Sequence, residues 1–163
     1  MKFIKITLLF FLALLLALVD TSVLSFFPVF EATILLSVST LIVLSLLGYK
    51  REAVYFAGFS AIFYAAFSSM PVYFVVIFFL AMPFLISYLK TKAFFEGNIY
   101  LSVLVFLISF FLFGLIFFIL EGDLSKNSLL VLFSFMIVNT LSGIIVYFVI
   151  KIFMLKLSIN RQL

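Results

Sequence analysis

The sequence contains no cysteine and no histidine. A disulfide framework, an iron–sulfur cluster, a thiolate or imidazole metal site and a Ser–His or Cys–His dyad are therefore excluded. Tryptophan is also absent, so any interfacial aromatic belt falls to the 7 tyrosines. Charge is scarce. Charged residues make up 10% of the chain, where a soluble domain has roughly a quarter. No glycine-rich phosphate loop is present. No acid or base sits at the centre of an apolar segment, so a proton relay or ion-coupled pump has no candidate residue. Asp20 and Glu31 flank one short turn between apolar runs. They read as markers of the membrane surface, at helix ends where water is available.

Apolar residues fill the space that charge leaves. They make up 68% of the chain, with 26 phenylalanines and a mean hydropathy of +1.51. This composition predicts an all-α polytopic membrane protein, and 163 residues form a single transmembrane domain. Six spans are expected, at about 3–25, 29–47, 53–69, 71–89, 99–120 and 128–150. Lys2 and Lys5 precede a short apolar core as in a secretory signal, but Ala17-Leu18-Val19 is a poor cleavage site, so an uncleaved first span is expected. Residues 53–89 carry no charge. As one helix they would extend roughly 55 Å, against a hydrocarbon core of about 30 Å. The fold-back belongs at Ser68-Ser69-Met70-Pro71, because Pro71 disfavours helix just before it and suits the first turn of the next. Pro83 lies inside the fourth span and predicts a kink there.

Sorting the charges orients the chain. Nine of the ten Lys and Arg fall on the side of the termini, with only Lys126 opposite. Four of the six acids (Asp20, Glu31, Glu121 and Asp123) are opposite. Basic residues in short loops stay in the cytoplasm, so both termini are expected there. Anionic-lipid contact is a secondary role for the same residues. No nucleic-acid partner, small-molecule ligand or cofactor is expected.

Two features could carry contacts. In the third span every fourth residue is small: Ala53, Ala57, Ala61, Ala65 and Ser69, with phenylalanine and tyrosine between them. Small residues let helix backbones approach closely in lipid. Ala61 is expected inside the bundle, with partner contact towards Ala65 and Ser69. In the last span Asn139 should lie near the bilayer midplane, sharing a face with Gly143. An unpaired amide in hydrocarbon costs several kcal/mol, so Asn139 should face another helix and bond across to it.

Several stretches resemble the rod shape-determining protein MreD family of small six-span proteins. The likeness begins at Pro28 and its apolar helix, then takes in Gly48, the basic turn and Glu-Ala-Val-Tyr-Phe-Ala-Gly-Phe at residues 52–59. It continues through Ser-Ser-Met-Pro at 68–71 and Met-Ile-Val-Asn-Thr-Leu at 136–141, before a basic tail. One departure is Tyr64, at a position where many members carry an acid. The resemblance implies a non-enzymatic scaffold that associates with the bitopic protein MreC and, through it, with the filament protein MreB and the peptidoglycan synthases. The alternative is a substrate-binding S component of an energy-coupling-factor vitamin transporter, also a six-span bundle with Ala-xxx-Ala docking faces. Few polar residues occur in the outer loops, where S components hold vitamins. A small envelope enzyme or flippase is the third reading; the chain offers it no deep charge and no nucleophile–base pair.

Overall fold

The computed structural model describes residues 2–26, 32–93, 99–122 and 126–159. The described residues form six α-helices and no strand element: α1 (Lys2–Leu18), α2 (Leu36–Leu46), α3 (Lys50–Phe67), α4 (Val72–Ala93), α5 (Ile99–Glu121) and α6 (Lys126–Ile159). Four stretches are long and apolar enough to cross a membrane: Phe3–Phe26, Val72–Thr91, Ile99–Leu120 and Asn127–Phe153. The architecture is consistent with a helical membrane bundle.

The bundle is arranged around α2. Residues 37–45 are all buried, and α2 touches every other helix. A helix covered on all sides has no polar face to keep apolar residues away from. Its serines and threonine are buried together with its leucines and valines, and Ser45 returns its hydroxyl to the Leu41 carbonyl at 2.9 Å.

Around this axis the helices meet in two ways. α1 and α3 pack against each other, and both bury small residues: Ala13 and Ala17 from α1, and Ala53, Ala57 and Ala61 from α3. Phe10 crosses that contact edge-on to Phe59 and Phe63. On the other side the gaps are filled by rings. Phe113 of α5 meets Phe74 and Phe78 of α4 at 5.1 and 4.7 Å, and Phe135 of α6 at 5.9 Å. Gly114 makes room here, since a Cβ on it would lie 2.5 Å from Leu132 Cδ1.

Element ends differ from the expected spans in definite ways. The charged turn before the third span is mostly helix, because α3 begins at Lys50 and only residues 47–49 turn. Pro71 starts α4 by accepting from the amides of Phe74 and Val75, and α4 runs through Pro83 as a single element. The tail expected after residue 150 is helical to Ile159. The largest difference is in the second span. Helix was expected over 29–47; α2 has 11 residues, and residues 32–35 before it are not helical. Pro28 and Glu31 lie outside the described residues.

Candidate functional site

The N-terminus of α2 lies inside the protein. A helix start exposes amides without intrahelical partners, and such groups cannot be left bare in a dry interior. Leu35, just before α2, makes no side-chain cap of its own. The missing acceptors come from two other helices.

The first is Asp20. After Leu18 the helix widens into a π turn at Val19–Val23, in which the Leu24 amide reaches back five residues to the Val19 carbonyl. Single π turns recur at functional positions in helices. Here the turn contains Asp20, which is 3% exposed. One carboxylate oxygen accepts from the Leu36 amide and the other from the Ser37 amide, both at 2.9 Å. A carboxylate at a helix N-terminus is favoured by the helix dipole as well as by the bonds themselves. The expectation that Asp20 marks the membrane surface is therefore corrected: it is drawn inward because the buried end of α2 supplies donors that compensate its desolvation.

The second is Asn139 of α6, with no exposed surface. Its Oδ1 accepts from the Leu35 amide at 2.7 Å. Its Nδ2 donates to the Thr33 carbonyl at 2.8 Å and to the Phe135 carbonyl one turn back at 3.0 Å. An amide side chain both donates and accepts, so one residue serves an N–H and a C=O of the same unwound strand. The cross-helix partner of Asn139 is thus backbone. Beside it, Ser39 and Ser142 approach at 3.5 Å between hydroxyl oxygens.

The other end of α2 is closed as carefully. The Tyr49 amide bonds the Leu44 carbonyl and the Gly48 amide bonds the Ser45 carbonyl, with Gly48 at φ +86°. This is the Schellman arrangement, which needs a residue in the left-handed region. Lys90 of α4 then donates its Nζ to the Leu46 carbonyl at 3.1 Å. The central helix has an acid from the π turn after α1 at its positive end and a base from α4 at its negative end.

The residues singled out in the sequence are distributed as follows. Ala57 and Ala61 are buried in the core; Ala65 is half-buried against it; Ser69 is exposed. The small-residue ladder does not reach Ser69 as a helix face, because α3 stops at Phe67 and Ser68 is extended. Gly143 is buried, and a Cβ there would lie 2.5 Å from Phe106 Cε1 and 2.6 Å from Cδ1. Asn139 and Gly143 both belong to the α6 side of the core, whereas Ala57 and Ala61 belong to α3, so the candidates do not form one site. Asp20 was expected only as a marker of the membrane surface, and Lys90 only as one of the basic residues that orient the chain. The signal for Asp20 was its place between an apolar run and a second span that begins with no capping residue.

On the outer face of the bundle, Ser134, Ile137, Val138, Leu141, Ser142 and Ile145 of α6 and Ile34 line an open apolar groove of about 430 Å³. Ile34 belongs to the unwound strand that Asn139 holds.

Compared with family models, with curated proteins and with solved structures, the chain matches none.

Proposed function

We propose that the protein is a non-enzymatic membrane scaffold of six crossings, similar to MreD, with both ends in the cytoplasm. Its partner on this reading is a bitopic MreC-like protein of the cell-elongation machinery in a bacterial inner membrane. The observation that carries the reading is the use of two buried polar side chains and one half-buried one. Asp20, Asn139 and Lys90 come from three helices, and all three bond the backbone at the ends of α2. Such groups are costly in lipid and mark function by default. In this bundle they act on its shape.

The six-crossing count is supported by arithmetic on the second span. α2 alone covers about 16 Å, too little to cross. The four non-helical residues before it can add up to about 13 Å. Together they can come to about 30 Å, the thickness of the hydrocarbon core. Unwound backbone at that depth is tolerated where protein covers it and satisfies its polar groups, as Asn139 does. The remaining resource of a scaffold is surface, and the groove along α6 offers an apolar face at helical spacing.

The test is co-purification from native membranes with a photocrosslinking residue at Leu141. Recovery of a single-span protein crosslinked at 141 is expected. Recovery of an ATPase with a larger multispan subunit would point to a vitamin-transporter S component. Adducts to lipid alone, with no protein co-purifying, would sink the scaffold reading.

A further inference from the structure

Residues 32–35 combine a sequence that reads as helix with a backbone that is not helical. Ala32, Ile34 and Leu35 continue the apolar pattern of α2, and neither Pro nor Gly interrupts them. Yet Leu35 has φ −113° and ψ 84°. A local preference that disagrees with the observed backbone is where function or strain is expected. Two side chains hold the disagreement in place. Asn139 grips the Thr33 carbonyl and the Leu35 amide, and Asp20 takes the next two amides. Ile34 lies between the two gripped residues, and it lines the groove.

We propose that residues 32–35 are a two-state strap, held extended by Asp20 and Asn139 with Ile34 forming a wall of the groove, and able to wind into an added turn of α2 when Asp20 is withdrawn. Winding supplies intrahelical acceptors for the amides that Asp20 serves, because the carbonyls of residues 32 and 33 become their i−4 partners. It also rotates Ile34 out of the groove. The device links the groove to α1, the least buried of the four long apolar helices: moving α1 removes Asp20, and the groove loses a wall. A continuous, packed arrangement of this kind has two discrete states rather than a range of them.

The sequence contains one Ala-Thr pair, Ala32-Thr33. Labelling alanine with carbon-13 and threonine with nitrogen-15 therefore gives a single linked signal from the strap by solid-state NMR in bilayers. In the unaltered protein the Ala32 Cα shift should be that of extended backbone. In folded Asp20→Asn it should move downfield into the helical range. An Ala32 signal that stays extended, or that spreads into the disordered range, overturns the proposal. Should Asp20→Asn not fold, Ile34→Ala decides. It keeps both gripping side chains and raises helix propensity, so a second, helical Ala32 signal is expected, and one extended signal alone overturns the proposal.

Discussion

Asn139 shows how much one polar side chain can be asked to do in an apolar bundle. Hydrogen bonds between transmembrane helices are worth about 1 kcal/mol or less, and a reading of the sequence alone would assign Asn139 that value. The structure raises it. Asn139→Leu removes the acceptor of the Leu35 amide and a donor to the Thr33 carbonyl and leaves both main-chain groups buried. An orphaned buried group costs about 1–3 kcal/mol, so a loss of about 2–4 kcal/mol is expected by denaturant titration in detergent micelles; a loss under 1 kcal/mol would mean water or another group takes over. Gly143 is the packing counterpart. Gly143→Ala would gain up to about 1 kcal/mol of helix propensity but places a methyl group against the Phe106 ring, itself buried. Overpacking costs about 1–3 kcal/mol. A net loss of about 1 kcal/mol in the same titration is expected, and an unchanged or raised stability would show that Phe106 moves freely.

At the level of elements, the helices were legible and their continuity was not. Apolar length and the Ser-Ser-Met-Pro break place α3, α4 and α5 within a few residues. The second span misled for a physical reason. Hydropathy reports whether a segment suits lipid, and residues 32–35 do; it does not report which backbone conformation they adopt once Asp20 and Asn139 offer them partners. Of the stripe on α3, Ala53, Ala57 and Ala61 are buried, Ala65 packs at the edge of the core and Ser69 lies beyond the helix. A step of four residues drifts about 40° on a helix of 3.6 residues per turn, so after three steps Ala65 has turned well away from Ala53. The buried face follows alternating steps of three and one: Ala53, Phe56, Ala57, Ser60, Ala61 and Tyr64. Ala61→Leu, on that face, should lower stability by about 1–3 kcal/mol. Ser69→Leu, exposed beyond the helix end, should stay within about 0.5 kcal/mol. Equal effects of the two, read as yield and melting temperature of purified protein, would remove any special standing of the α3 face.

For the whole molecule, the charge asymmetry of the sequence and the capping of the central helix agree in direction. The acid at the start of α2 comes from the π turn that follows α1, at the end away from Lys2 and Lys5, and the base at its end comes from the Lys90 end of α4. Short basic loops orient membrane proteins by staying cytoplasmic, and the same side supplies the cation that the carbonyl end of α2 favours. Six crossings with both ends inside then require Tyr49 to face the cytoplasm and Ser69 to face outward, with Gly122 on the outer side as well. The absence of cysteine makes this directly testable, because a single introduced thiol is the only one present. In intact cells, Ser69→Cys and Gly122→Cys should react with a membrane-impermeant maleimide, and Lys92→Cys should react only after the membrane is opened. The decisive position is between α2 and α3. If Lys50→Cys behaves like Lys92→Cys, the half-extended second span crosses the bilayer. If it reacts from outside together with Ser69→Cys, the second span does not cross and the six-crossing topology falls.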